Sequence, residues 1–358
     1  MNFTEKMPKR DLWQYLRETK KTVVMYGMGN GADKILGVCE AYDIPVADFF
    51  ASDGFVRGHS FHGKTVMSYS AVKEKYGAEN LIVLLSFASS LPNVLETFRR
   101  VASECEMYAP DVPVCGDTLF TMNFFEEHQK EILDARALLS DEESLRIYDR
   151  VLAYKLSGRI SYLFEAESDK DETYGLLDAE RIRSAADLGA YNGDTVRELM
   201  TYAPSLERVI AFEPDRRSYR KLCDFCENLT TPKVRTLQAA AWSEATTLIF
   251  GDEGNRNSGL YAKGKRAEVC AMSLDEVLAG ESVDYIKYDV EGAEGEALTG
   301  SERTILACRP RLLVSAYHKS EDLFALPLRI REICPEYRLY YRRYPYVPAW
   351  DLNLIALP

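Results

Sequence analysis

Lys287, Asp289 and Glu291 stand two residues apart in the stretch IKYDVEGAE. In an extended strand, residues two apart share one face, so an ammonium and two carboxylates would line one side of a strand end. Charges on a central strand are costly unless paired. The row is therefore either a structural salt bridge or the wall of a site. Three further ionisable residues close apolar runs in the same way. Asp187 ends SAADL and is followed by Gly189 and Gly193, Glu213 ends VIAFE, and His318 ends PRLLVSAYH.

In open α/β sheets, ligands bind at the carboxyl ends of the strands, beside the first strand–helix turn. Gly189 and Gly193 let the backbone turn sharply there and approach a ligand closely. The spacing is Asp-x-Gly-x-x-x-Gly rather than the dinucleotide fingerprint. An acid just before the loop disfavours a pyrophosphate and suits an ammonium. Glu213 could accept hydrogen bonds from both hydroxyls of a ribose. A ligand with a ribose, an ammonium and no phosphate is S-adenosylmethionine (SAM). The bland alternative makes Asp187 and Glu213 cap and turn residues.

Methyl transfer from a sulfonium needs an aligned acceptor oxygen and, for an alcohol, a group that takes its proton. A neutral imidazole can do this near pH 7, so His318, Asp289 and Glu291 are the catalytic candidates. The same three side chains could instead hold a divalent metal. A metal-free site is the expectation.

The elements that must position these residues follow from periodicity. Three apolar runs, TVVMY, IPVADFF and LIVLLS, alternate with helix-like stretches. They predict a small Rossmann-like α/β domain over 1–116, with strands parallel. Residues 117–180 carry 16 acidic and 7 basic side chains and no strand signal. They read as a helical connector, with Ser140 and Glu143 at capping-box spacing. Over 181–358 the alternation resumes with SAADLGA, RVIAFEP, VRTLQAAAW, VDYIKYDVEG and PRLLVSAYH, then a terminal pair, YRLYYRRY and WDLNLIALP. This predicts a doubly wound sheet of about seven strands. Thr195 with Glu198, and Ser273 with Glu276, have capping-box spacing at helix starts.

Net charge is −12 over 358 residues, so nothing suggests binding to nucleic acid or to an anionic membrane. No apolar run is long enough to span a bilayer, and the start MNFTEKMPKR lacks the apolar core of a signal peptide. Eight scattered cysteines fit a reducing cytoplasm. Cys223 and Cys226 have metal-like spacing, but no second pair accompanies them, and packing is the expected role. The loop GDEGNRNSGLYAKGKR is a substrate lid or a plain connection. In the first domain, YGMGNG could hold a nucleotide, with Asp53 on its ribose, or serve architecture alone.

DLGAYNGDT, AFEPD, IKYDVEGAE and SAYHKSEDLFALP, in that order and spacing, resemble the successive motifs of the FkbM family of SAM-dependent methyltransferases. The likeness covers about 174–358. It implies a class I methyltransferase fold and methylation of a hydroxyl on a sugar, glycan or secondary-metabolite acceptor. On that basis the cofactor set is Asp187, Gly189, Ala190, Tyr191, Asn192, Gly193, Asp194, Thr195, Glu213, Pro214, Ala240, Trp242 and Asp289. Class I folds lay the adenine near Ala240 and Trp242, and similar proteins bring a helix over the cofactor near Tyr174. The resemblance says nothing of the first domain. The expected partner is a small-molecule or glycan acceptor, and a homo-oligomer is compatible with the sequence. Two rival readings are a nicotinamide-dependent oxidoreductase using YGMGNG and a non-catalytic SAM-binding protein.

Overall fold

A computed structural model describes residues 7–252 and 265–358. Most of the loop GDEGNRNSGLYAKGKR, residues 253–264, lies outside the described residues.

The first sheet has five parallel strands, β1 (Thr22–Tyr26), β2 (Val46–Ala51), β3 (Met67–Ser68), β4 (Leu81–Leu85) and β5 (Glu106–Tyr108). Their spatial order is β3-β2-β1-β4-β5. The central β4, LIVLL, is apolar and buried throughout, as a strand covered on both faces requires. Helix α1 (Asn30–Ala41) follows β1 directly.

Between the sheets lie helices only, as the sequence predicts for this stretch. The longest is α2 (Glu142–Ser157), and α3 (Lys170–Leu176) precedes the second sheet. The expected cap of α2 is shifted by one residue. Asp141 is the N-cap and accepts from the Ser144 N–H at 2.7 Å, while the Ser140 hydroxyl accepts from the Leu339 N–H at 3.1 Å. Tertiary demand decides this, because Asp141 also pairs with Arg342 at 2.7 Å.

The second sheet has seven strands, β6 (Ser184–Leu188), β7 (Arg208–Phe212), β8 (Lys233–Leu237), β9 (Tyr285–Tyr288), β10 (Arg311–Ser315), β11 (Arg338–Arg343) and β12 (Leu352–Leu357). The order is β8-β7-β6-β9-β10-β12-β11, with β12 antiparallel to both neighbours. The strand order reverses between the parallel neighbours β6 and β9, and a crevice opens at their carboxyl ends. The predicted strand VRTLQAAAW is two pieces. Lys233–Leu237 joins the main sheet, and Ala240–Ala241 joins a small three-stranded sheet beside it.

One face of the first sheet packs on itself, with Trp13, Met25, Ile35 and Ile82 in its own cluster. The other face does not. Val24, Val83 and Phe98 belong to one continuous cluster with Tyr148, Val151 and Tyr154 of α2 and with Ile286, Val314 and Leu354 of the second sheet. The first sheet thus has one face in its own cluster and the other in the core shared with α2 and the second sheet. Each large apolar side chain uncovered costs about 1.5–3 kcal/mol. Deleting residues 1–116 is expected to abolish cooperative melting of the remainder, followed by circular dichroism. A sharp melt near that of the full chain would show that the shared core is dispensable. Among the described residues no helix is long and apolar enough to cross a membrane.

Candidate active site

The sequence-predicted acids converge where β6, β7, β9 and β10 end. A cleft of about 1540 Å³, counted with its solvent-open mouth, is lined there by Gly189, Tyr191, Glu213, Ala240, Asp289 and Glu291 among others. A second hollow, at the opposite ends of the strands by Arg208 and Lys233, is on the wrong edge for this fold's ligands.

Gly189 fixes the approach of two loops. Its φ is +100°, and a Cβ there would stand 1.9 Å from the Asp289 carbonyl oxygen. Only glycine lets the β6 turn lie against the β9 turn. Gly189→Ala is expected to cost about 2–5 kcal/mol, combining left-handed backbone with overpacking. Thermal melting checks this, and an unchanged Tm would mean the β9 turn yields freely.

Helix α4 (Asp194–Tyr202) starts at Gly193, which is its N-cap. Thr195 does not cap it. Its hydroxyl donates to Asp187 Oδ2 instead, because that buried carboxylate lies within reach. Asp187 Oδ1 is buried without any hydrogen-bond partner. Burial raises the Asp187 pKa, and the facing Lys287 on β9 only partly offsets this.

Glu213 is 6% exposed and accepts from the Asp215 N–H at 2.7 Å. Burial pushes its pKa up to about 8. Ser218 and the rest of α5 (Arg216–Cys226) are capped by Asp215, so Glu213 is not needed as the cap.

The Lys287–Asp289–Glu291 row forms as spaced. Lys287 Nζ donates to Asp289 Oδ2 at 2.9 Å. Burial works against an ionised Asp289, yet the charges of Lys287 and His318 hold its pKa below the usual carboxylate range. Three non-glycine residues with left-handed backbone line this cleft, Tyr191 (φ 46°), Glu291 (φ 51°) and Asp351 (φ 58°). Strain of this kind costs about 1–3 kcal/mol per residue and clusters at functional sites.

His318 differs most from the sequence expectation. It is fully buried and does not line the cleft, whereas its neighbour Tyr317 does. Its Nε2 lies 3.6 Å from Asp289 Oδ1 and 3.7 Å from Glu291 Oε2, and its Nδ1 lies 2.9 Å from Glu294 Oε1. Burial pulls the imidazole pKa down, but Glu294, Glu291 and Asp289 outweigh it and raise it to about 10. A group closed off from the cleft is not a proton acceptor for a bound alcohol. His318 backs the carboxylates.

Of the remaining expected residues, Pro214, Asp194 and Thr195 line the cleft. Ala190, Asn192 and Gly193 stand behind it as the turn's frame; Asn192 Oδ1 is buried without a partner. Trp242 lies outside the lining; its N–H bonds the Met272 carbonyl at 2.9 Å. Tyr174 on α3 does line it, with its hydroxyl donating to Glu198 at 2.9 Å and its ring stacked on Tyr202. Lys170, Tyr344, Asp351 and Asn353 also line the cleft, and no sequence motif announced them.

Two of the three glycines in YGMGNG have a packing explanation. A Cβ on Gly31 would meet the Ser86 carbonyl oxygen at 2.3 Å, and one on Gly27 would meet Phe87 at 2.7 Å. Asp53 accepts from the Ser70 N–H and hydroxyl at 3.0 and 2.6 Å, so its oxygens are spent locally. Beyond β5 the chain crosses to the cleft of the second sheet. There the Cys115 N–H donates to the His318 carbonyl at 2.9 Å, its thiol to the Glu291 carbonyl at 3.1 Å, and the Ser320 hydroxyl to the Thr118 carbonyl at 2.6 Å.

A seven-stranded sheet of this order, with acids at the ends of its first, second and fourth strands, defines a class I methyltransferase fold. Residues 187–346 match the family model described as the methyltransferase FkbM domain, so the chain carries an FkbM methyltransferase domain. The crystal structure of methyltransferase FkbM from Methylobacillus flagellatus KT superposes with a TM-score of 0.71 at 19% identity, over 96% of this chain and 92% of that one. The shared fold thus includes the first α/β unit. An rRNA methylase from Streptococcus thermophilus aligns at 12% identity over 52% of this chain and 93% of that chain, with a TM-score of 0.36. A methyltransferase from Streptococcus mutans, solved in complex with SAH, aligns at 12% identity over 54% and 99%, with a TM-score of 0.35. No curated protein matches the chain.

Proposed function

We propose that this methyltransferase binds SAM in the cleft of its second sheet and methylates a hydroxyl of a sugar, glycan or secondary-metabolite acceptor. The observation that carries the reading is a pair of buried acids at the ends of the first two strands of this sheet, Glu213 lining the cleft and Asp187 one layer behind its lining. Asp187 Oδ1 has no hydrogen-bond donor, and Glu213 is held with a raised pKa. An ammonium suits the first and a ribose diol the second. Gly189, which lines the cleft, presents no side chain to a ligand there. These residues fit SAM.

SAM supplies a methyl carbon made electrophilic by its sulfonium. The chain's own residues do the rest. Asp187 and Glu213 fix the two ends of the cofactor. Asp289, kept ionised by Lys287, faces the cleft and orients either the methionine end or the acceptor hydroxyl. Glu291 takes the acceptor's proton, replacing the sequence-based choice of His318, which holds both carboxylates from behind. Tyr174 and Tyr317 narrow the cleft and exclude water.

Calorimetric titration with SAM and with NAD tests the reading. SAM binding at one site per chain, lost in Glu213→Ala, is expected. Binding of NAD without SAM would favour an oxidoreductase and overturn it.

A further inference from the structure

Behind the cleft wall, three ionisable side chains meet in a space closed to solvent. Glu294 is the first residue of α6 (Glu294–Thr299), Asp322 opens α7 (Asp322–Ile333), and His318 lies between them in the chain. Their exposures are 1%, 5% and 0%. One donor atom from each gathers within 4.8 Å of the others. Helix starts favour a negative charge, which accounts for the two acids singly. It does not account for the orphaned atoms between them.

Both ring nitrogens of His318 and Oε2 of Glu294 are buried without a hydrogen bond. The Nδ1–Oε1 distance of 2.9 Å is short enough for one, but a hydrogen on Nδ1 would not point at that oxygen. Glu294 Oε1 instead accepts from the Val290 N–H at 3.0 Å, and Asp322 Oδ2 from the Lys319 N–H at 2.7 Å. Two donor atoms that are close but not hydrogen-bonded suit a shared cation. Neighbouring ligands of an octahedral ion bound at about 2.1 Å stand about 3 Å apart. One imidazole with two carboxylates suits a first-row transition ion better than magnesium or calcium, which prefer oxygen alone.

We infer that Glu294, His318 and Asp322 bind one first-row divalent cation, of the Mn2+ or Zn2+ kind, in the wall behind the methyltransferase cleft. This departs from the metal-free expectation of the sequence. The ion holds Nδ1, so the ring presents Nε2 to Asp289 and Glu291, whose oxygens lie 3.6 and 3.7 Å away. It is a positioning site, one layer back from the cleft, because His318 is closed off from it.

The test needs no acceptor. Tag-free full-length protein is stripped with a chelator, dialysed against Mn2+ or Zn2+, and measured for bound metal by mass spectrometry. About one ion per chain is expected, with a rise in Tm of about 5 °C at about a hundredfold excess over Kd. Glu294→Gln and Asp322→Asn should each weaken metal binding at least about tenfold. Glu213→Gln should keep the ion while losing SAM, so a failure of the cofactor assignment and a failure of the metal site are told apart. Folded wild-type protein holding less than about a tenth of an ion, with no shift in Tm, overturns the inference. So does full metal content in both Glu294→Gln and Asp322→Asn, since the ion would then lie elsewhere.

Discussion

Glu291→Gln is expected to lower turnover by about a hundred- to ten-thousand-fold, the usual contribution of a positioned base. The substitution keeps the shape of the side chain and removes its proton affinity. SAM affinity should stay within about twofold, because Asp187 and Glu213 hold the cofactor independently of this residue. A fall in kcat and kcat/KM together, with KM unchanged, is the signature of an interaction made in the transition state. His318→Gln should act differently. It removes the Nε2 group that faces Asp289 and Glu291 at 3.6 and 3.7 Å, so the pH profile of kcat should move as well as its height. Transfer of labelled methyl to a true acceptor measures both. Near wild-type turnover in Glu291→Gln would place the proton acceptor elsewhere, with Asp289 the next group to test.

SAM affinity should rise with pH through the neutral range, and Glu213 should be the cause. Its pKa of about 8 in the free protein means that the cleft holds a mostly protonated acid at pH 7. Two ribose hydroxyls donate best to the ionised form. Binding therefore takes up the cost of releasing that proton below pH 8, and Kd should fall by up to about tenfold per pH unit until it levels off above pH 8. The stability of the free protein has the opposite slope. A carboxyl whose folded pKa lies above its unfolded value near 4.5 stabilises the fold fully below 4.5 and loses that contribution as pH rises through about 8. Glu213→Ala should raise Kd by an order of magnitude or more, since a charge-assisted hydrogen bond contributes about 1.5–3 kcal/mol. It should also flatten both profiles. Calorimetry across pH 6–9 with wild type and variant checks this, and an unchanged slope in the variant would assign the titration to another acid.

The strand pattern was readable because buried strands here are short apolar runs that stop at an acid. That punctuation also pointed to Glu213 and Asp289, which line the cleft, and to Asp187, which is buried behind its lining. What the pattern hides is the direction of a side chain past the strand's last residue. Tyr317 and His318 are adjacent, yet the turn after β10 sends the tyrosine to the cleft and the histidine behind it. Helix caps were legible to within two residues. Ser273 does cap its helix, accepting from the Glu276 N–H at 3.2 Å. Ser140 and Thr195 were drawn to partners far away in sequence or across the turn. Lys170, Tyr344, Asp351 and Asn353 reach the cleft only because the terminal hairpin and α3 close over it. No local spacing encodes that closure.

The crossing segment around Cys115 sets where one member of this family can be cut and joined to another. Its thiol and N–H grip the backbone of Glu291 and His318, and a Cβ on Gly292 would stand 2.9 Å from the cysteine's own Cβ. By these contacts Cys115 goes with the second sheet, although Val112 and Leu119 on either side of it pack on the first. A chimaera joined after Phe120 pairs a foreign crossing segment with the native Glu291 turn and mismatches the two. Joined after Tyr108 it keeps that lock, and the incoming α/β unit has only the shared core against α2 and the second sheet left to match.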